Sequence, residues 1–197
     1  MIKHRIVFIL VASLLFLSTT TLNASANNFD IKIKPLPSPI IEYIDTYNFH
    51  KVDNFYYRGG QPDRDDFENF ALLGIKTIIN LRNTDEEDIA DQKKMANKFD
   101  INYISIPMKA SQPPTVEQIK YFFEVINNPE NLPVYVHCWQ GKDRTGIMTA
   151  LYRVKNYGWN FDQAYSEMKK KGYHSFFYPK QKEFLYNYTK KYLSENY

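Results

Sequence analysis

The sequence predicts an α/β fold: a central, mostly parallel sheet of four to five strands flanked by helices. Three observations carry that reading. β-branched runs alternate with segments of helical period along most of the chain, the pattern of strands joined through helices. The composition, 44% hydrophobic and 16% aromatic with 24% charged, suits a protein with a sizeable core. It excludes a disordered tail, a collagen-like fibre and a multi-span membrane protein. A length of 197 residues leaves room for one globular domain, or two very small ones.

The N-terminus reads as an address rather than as part of that fold. Lys3, His4 and Arg5 precede an apolar run from Ile6 to Leu17, and Ala24-Ser25-Ala26 follows. These are the n-region, h-region and cleavage site of a secretory signal peptide. The run is too short to cross a bilayer, which takes about 20 residues, and no Cys near the cleavage point offers lipid attachment. Residues 1–26 are therefore expected to be removed after Ala26, leaving a secreted or periplasmic chain with no stable membrane anchor. An extended lead-in over 27–51 follows, because clustered prolines in Lys34-Pro35-Leu36-Pro37-Ser38-Pro39 prevent helix. The folded domain is expected over 52–197.

Within it, Asn54 to Arg58 reads as a strand stopped by Gly59-Gly60 and Pro62. Asp63 to Leu73 reads as a helix with acids in its first turn and Gly74 as its stop. Ile75 to Leu81 is a buried-type strand ending at Arg82. Thr84 is placed to cap a helix running to about Phe99, with Ile89, Met95 and Phe99 inward. Ile101 to Met108 alternates like a strand, and Thr115 with Gln118 opens a helix through a capping box. Pro133 to His137 is a further β-type run, followed by helices over Thr145 to Asn156, Asp162 to Lys171 and Lys180 to Leu193. Phe122-Phe123 and Phe176-Phe177-Tyr178 are read as core rather than as a lipid-binding surface.

Charge is unevenly spread. Without Lys3 and Arg5 the formal +3 falls to +1, which gives no general case for nucleic-acid binding. Residues 27–132 carry 12 Lys/Arg against 17 Asp/Glu, and residues 133–197 carry 11 against 5. Solvated helix faces such as Lys169-Lys170-Lys171 account for that asymmetry as well as an anionic ligand does.

The chemistry concentrates in Pro133-Val134-Tyr135-Val136-His137-Cys138-Trp139-Gln140-Gly141-Lys142-Asp143-Arg144-Thr145-Gly146. A strand delivers the single Cys of the chain to its C-terminal edge, a loop follows, and a helix starts near Arg144. Ligands of such sheets sit beyond the strand ends and beside helix N-termini. Amides from Trp139 to Arg144 can form a nest for a tetrahedral anion and, with the helix terminus and Arg144, stabilise a thiolate. Arg144 can also grip two phosphoryl oxygens at once, which Lys cannot do in that geometry. The residues thus read as a nucleophilic Cys in an oxyanion cradle, displacing an ester at phosphorus without a cofactor or metal. A buried structural Cys requires neither Gly141 nor Arg144 at these offsets, and the nucleotide-binding pattern is absent because Lys142 precedes Asp143.

His-Cys-x-x-Gly-x-x-Arg-Thr-Gly resembles the signature of the protein tyrosine phosphatase superfamily, the HCX5R cysteine phosphatases. Asn54-Phe55-Tyr56-Tyr57-Arg58-Gly59-Gly60-Gln61-Pro62 resembles the first strand of its small dual-specificity-like branch. The resemblance covers roughly Val52 to Leu193. It implies a phosphatase-like loop at a strand–loop–helix junction, with Cys138 as nucleophile and Arg144 as phosphate binder. Trp139, Gln140, Gly141, Lys142 and Asp143 would complete the substrate-binding loop. Thr145 would bond to the sulfur, and His137 would order the loop from below.

The family's usual general acid, an Asp about thirty residues before the Cys, has no counterpart in Ser105-Ile106-Pro107-Met108-Lys109-Ala110-Ser111-Gln112-Pro113-Pro114, where Ala110 takes its position. The best-placed substitute is Asp143, on proximity before pKa. An Asp directly before this Arg resembles the myotubularin-type lipid phosphatases and certain secreted bacterial phosphatases, in which it is the proposed acid. Alternatively Asp143 only pairs with a nearby base, and Glu117 or no residue protonates the leaving group. Lys109 and Lys142 add positive charge that suits a polyanion, while Trp139 either stacks on a phosphotyrosine ring or packs beneath the loop. The function expected is a cysteine-dependent phosphatase for phosphotyrosine in proteins, phosphoinositides, or both. The alternatives are an inositol polyphosphate phosphatase or a phosphate-binding module without turnover.

Overall fold

Residues 48–196 are described by the computed structural model of the chain. The expected signal peptide and most of the lead-in lie outside these residues. Five strands form one sheet: β1 (His50–Lys51), β2 (Tyr56–Gly59), β3 (Thr77–Arg82), β4 (Asn102–Met108) and β5 (Val134–His137). Their spatial order is β1-β2-β5-β3-β4, with β1 antiparallel to β2 and the remaining neighbours parallel. The mostly parallel sheet expected from the sequence is the one observed. Its centre is β5, whose His137 is in register with Gly59 on one side and Asn80 on the other. The residue after His137 therefore leaves the sheet at its middle.

Period-two alternation sends successive side chains to opposite faces. Tyr57, Ile78 and Tyr135 join one apolar cluster with Phe67, Phe70 and Ala96, whereas Tyr56, Ile79, Val134 and Val136 join the other with Phe122, Ile147, Met168 and Leu185. Helices α1 (Asp66–Leu72) and α2 (Glu86–Asn97) thus cover the first face. Helices α3 (Val116–Asn127), α4 (Asp143–Tyr157), α5 (Phe161–Lys170) and α6 (Pro179–Asn196) cover the second. Among the described residues no helix is long and apolar enough to cross a membrane.

Helix starts follow local chemistry. The capping box expected at Thr115 and Gln118 is present, and Asn160 with Gln163 forms a second one at α5. Helix α2 is capped by Asp85, not Thr84: the Asp85 carboxylate accepts from the Asp88 amide at 2.9 Å, while the Thr84 hydroxyl faces the Arg82 guanidinium. Helix α1 begins three residues later than its acids suggested. Asp63 Oδ1 accepts from the amides of Asp65 and Asp66 at 3.0 and 3.2 Å, a side-chain turn that competes with helix. Helix α4 ends at Gly158, whose φ of +63° supplies the left-handed C-terminal turn.

Two polar ties fix α4, the helix that carries the loop's arginine. Asp53, in the β1–β2 turn, accepts from the hydroxyls of Tyr152 and Tyr157, both at 2.6 Å. Burial alone would raise its carboxyl, but these bonds and the Phe55 amide outweigh it and hold it below the ordinary value. Arg153 binds Glu167 of α5 through two nitrogens at 3.0 and 3.1 Å, with its guanidinium carbon 4.6 Å from the Trp159 ring centroid. That fork geometry and its stacking are specific to Arg.

Phe122 and Phe123 are core, as expected, but Phe176 and Phe177 are 88% and 70% exposed. They sit on the short segment between α5 and α6 and pack edge to face on one another, centroids 5.5 Å apart. Tyr173 of the same segment is buried instead, and its hydroxyl donates to the Tyr178 carbonyl.

Asp66 supplies a pH test of the fold. Only 2% exposed, its carboxyl is pushed up to about 6, chiefly by burial, with the Asp63 amide pulling the other way. In the unfolded chain it titrates near pH 4. The folded protein therefore keeps a proton that the unfolded chain releases, and this group's contribution to stability falls as pH rises from about 4 to 6. Asp66→Asn keeps an acceptor for the Asp63 amide and removes the buried charge. It should stabilise the protein by about 1–2 kcal/mol at pH 7 and by almost nothing at pH 4. Urea unfolding at the two pH values checks this, and an equal effect at both would exclude the assignment.

Candidate active site

Strand β5 delivers Cys138 to the C-terminal edge of the sheet, where it is 3% exposed and is the free cysteine of the chain. The loop Cys138–Lys142 then leads into α4, whose first residue is Asp143. Its curvature depends on Gly141, with φ of +67°. A Cβ at that position would collide with the backbone of Gly59 and Gly60, so the loop lies directly on the end of β2.

Three consecutive loop carbonyls are held from outside. That of Trp139 accepts from the Gln61 amide at 3.0 Å, and that of Gln140 from Asn48 Nδ2 at 3.3 Å. The Gly141 carbonyl accepts from Asn48 Nδ2 at 3.1 Å and from Arg58 Nη2 at 2.6 Å. These donors lie just before β1 (Asn48), within β2 (Arg58) and just after it (Gln61). In a planar trans peptide the N–H points opposite to the C=O. The amides of Gln140, Gly141 and Lys142 therefore turn away from that wall and into the loop. The unsatisfied first-turn amides of α4 join them with the positive end of the helix dipole. The result is a nest for a tetrahedral anion.

His137 lies beneath the loop, fully buried. Its Nδ1 donates to the Cys138 carbonyl at 3.3 Å, and burial pushes its pKa down to about 3, so the ring is neutral. Arg144, half-buried, reaches from the first turn of α4 to the end of β4, where Nη1 donates to the Met108 carbonyl at 3.4 Å. That long bond takes one of the guanidinium's five N–H donors and leaves the rest of its fork uncommitted.

The other expected site residues are placed less uniformly. Thr145 is buried, but its hydroxyl has no hydrogen-bond partner among the described residues and does not bond to the sulfur. Trp139 is 61% exposed and does not pack beneath the loop. The Arg82 guanidinium lies 5.0 Å from its ring centroid, and Arg82 is itself fixed by Gln61 and Asp88, each at 2.7 Å. Gln140 is exposed. The stem of Lys142 runs along Gly172, where a Cβ would stand 3.1 Å from its Cγ, Cδ and Cε. Lys109 is exposed and directly follows Met108, whose carbonyl Arg144 contacts. It lines a cleft with Pro113, Thr115 and Gln118, and its carbonyl accepts from the Gln112 amide at 3.2 Å.

Asp143 is bound by a residue that the sequence did not point to. One carboxylate oxygen accepts from the His174 amide at 2.8 Å and the other lies 2.9 Å from His174 Nδ1. Glu117 is exposed on α3, and bonds to its own amide and Thr115 hold its carboxyl below the ordinary value. The segment with Ala110 is tied to α6 through Gln181 Nε2, which donates to the Ala110 carbonyl at 2.8 Å. Asn48, Arg58, Gln61 and Gln181 were likewise not singled out. The one local signal for them was a charged residue, Arg58, inside a strand of otherwise buried type.

A thiol at the end of the central parallel strand, with amides turned into the loop and an arginine on the first helical turn, is arranged to hold a tetrahedral anion beside the sulfur. The chain belongs to the PTP-NADK family, described as a DSP-PTPase phosphatase fused to NAD+ kinase, whose model matches residues 40–185. It is similar to the dual specificity protein phosphatase TpbA of Pseudomonas aeruginosa, 23% identical over 126 residues that span 64% of this chain and 55% of that one. It is also similar to NAD kinase 2, chloroplastic, of Arabidopsis thaliana, 27% identical over 115 residues, 57% of this chain and 11% of that one. The match thus spans about half of TpbA and about a tenth of the kinase chain. Among solved structures, P. aeruginosa TpbA superposes with a TM-score of 0.64 at 19% identity, over 77% of this chain and 91% of that chain. The core catalytic domain of the PP-IP phosphatase SIW14 of S. cerevisiae gives 0.60 at 22% identity, over 76% and 92%. These structural likenesses establish a shared fold.

Proposed function

We propose that the chain hydrolyses phosphate monoesters through a phosphoryl group carried on Cys138. The observation that carries this reading is the outward hold on the carbonyls of Trp139, Gln140 and Gly141, which aims the following amides into the loop before any ligand arrives. Preorganised donors of this kind stabilise charge that develops in the transition state. The Cys138 thiolate attacks phosphorus. An S–P bond forms as the ester P–O bond breaks, and Arg144 with the loop amides holds the equatorial oxygens. The leaving oxygen takes a proton from Asp143. Water then attacks phosphorus, gives its proton to Asp143, and releases phosphate and the thiolate.

Asp143 is the carboxyl of the first turn of α4, directly before the arginine, and its position is fixed by His174. Asp143→Asn should lower kcat/KM on alkyl phosphates by about 10²-fold, and much less on aryl phosphates whose leaving groups need no proton. A series of esters of rising leaving-group pKa measures this. Equal losses along the series exclude Asp143 as the acid.

The substrates proposed are phosphotyrosine in proteins and phosphoinositides. Exposed Trp139 and the exposed Phe176–Phe177 pair, the latter joined to Asp143 through His174, offer apolar surface for a ring or acyl-bearing ester next to a phosphate nest. A TpbA structure has been determined with phosphotyrosine, and SIW14 is a PP-IP phosphatase. Parallel kcat/KM measurements on phosphopeptides, phosphoinositides and inositol polyphosphates test the choice. A preference for soluble inositol polyphosphates contradicts it, and phosphate binding without any turnover contradicts the enzymatic reading. Residues 1–26 are proposed to direct export. Mass analysis of the protein from the periplasm or medium should give a chain starting at Asn27, and a retained leader contradicts that.

A further inference from the structure

Arg58 stands in the middle of β2 and is 1% exposed. Its Nη2 donates to the Gly141 carbonyl at 2.6 Å, while Nε and Nη1 have no hydrogen-bond partner among the described residues. A buried guanidinium without a matching anion is costly. Burial draws its pKa below the ordinary Arg value, yet the group stays charged. Arg58 is in register with Val136 of β5, and period-two alternation puts it on the face of the sheet that Tyr56, Val136 and Cys138 share. Tyr56, Glu167, Cys138 and Tyr135 bear most on its charge. Tyr56 and Tyr135 are fully buried phenols whose pKa burial raises far above neutrality, so both are uncharged. Glu167 is committed to Arg153 through both of its oxygens. His137, the buried ring beside the sulfur, is neutral. Of the groups around Arg58, the Cys138 sulfur is the one left to carry an uncommitted negative charge.

We propose that Arg58 is the internal counter-cation of the Cys138 thiolate and pins the phosphate loop from beneath through the Gly141 carbonyl. It is a positioning residue. It contacts the outward Gly141 carbonyl rather than the inward amides, and acts on substrate only through the loop and the sulfur. The proposal rests on Cys138 being the nucleophile.

The test is the pH dependence of Cys138 alkylation by iodoacetamide in the wild type, Arg58→Lys and Arg58→Gln. Because the thiol is the chain's single Cys, the modified mass reports on it alone. Loss of the charge in Arg58→Gln should move the midpoint up by about one pH unit or more, a tenfold drop in labelling rate below it. Arg58→Lys should restore most of that shift while leaving turnover depressed, since an ammonium replaces the charge but not the fork on Gly141. A purely structural arginine predicts no change of midpoint in the folded variants, and that result overturns the proposal. The same substitution in Cys138→Ser covers the case in which Arg58→Gln alone does not fold. With no thiolate to balance, removal of the charge is then better tolerated, and a variant that folds in neither background also overturns it. Failure of the nucleophile reading looks different: wild-type labelling then leaves activity intact, whatever Arg58 does.

Discussion

Cys138→Ser should abolish turnover, with a loss on the order of 10⁴-fold or more, while the protein still binds inorganic phosphate or tungstate. The chain has one Cys, so no neighbouring thiol can take over. The anion nest, by contrast, is built from amides whose carbonyls are anchored on Asn48, Arg58 and Gln61, and none of those contacts involves the sulfur. Hydroxyl and thiol occupy similar space, so the loop should keep its shape. Steady-state kinetics on an aryl phosphate and calorimetry with the oxyanion measure the two halves separately. Loss of activity together with loss of anion binding would mean that the substitution had collapsed the loop. Unchanged turnover would remove Cys138 from the chemistry altogether.

Arg144→Lys should reduce kcat/KM by about 10²–10³-fold, although the charge is kept. A lysine can neutralise a phosphoryl group but cannot present two parallel N–H bonds to its equatorial oxygens. The single long bond to the Met108 carbonyl at 3.4 Å is easily given up, so the arginine is held near its working position without being committed there. The loss should appear in kcat as well as KM, because the fork matches the transition state better than the ground state. A pure KM effect would recast Arg144 as a substrate anchor. A wild-type rate in the lysine variant would show that the fork is not used.

Much of this architecture can be read in the residues. The β-branched runs at Ile75–Leu81 and Pro133–His137 contain the strands Thr77–Arg82 and Val134–His137, whose side chains are buried on both faces, a signal that no surface helix imitates. The capping box at Thr115–Gln118 is legible because both of its bonds are made within four residues. The errors also have local causes. Thr84 and Asp85 are adjacent and both can cap, and what separates them is the Arg82 side chain, which is folded over Thr84. Phe176 and Phe177 lack a helix or strand to turn them inward, so hydrophobicity alone misplaced them.

The site divides in the same way. Cys138, Gly141 and Arg144 are fixed by a short motif whose spacing is the geometry. The groups that give the loop its shape come from elsewhere in the chain. His174 is 31 residues from Asp143 and Arg58 is 83 from Gly141. No pattern of neighbours announces either contact. Arg58 was further hidden because an arginine is almost never fully buried unless paired, and its proposed partner is a sulfur that becomes an anion only on ionisation.

In the proposed mechanism phosphorus becomes bonded to sulfur during turnover. Rapid acid quenching of the enzyme with an aryl phosphate, followed by peptide mass analysis, should find one phosphoryl group on Cys138, formed within the first turnover and absent from Cys138→Ser. Full turnover with the Cys138 peptide unmodified at every quench time would contradict it.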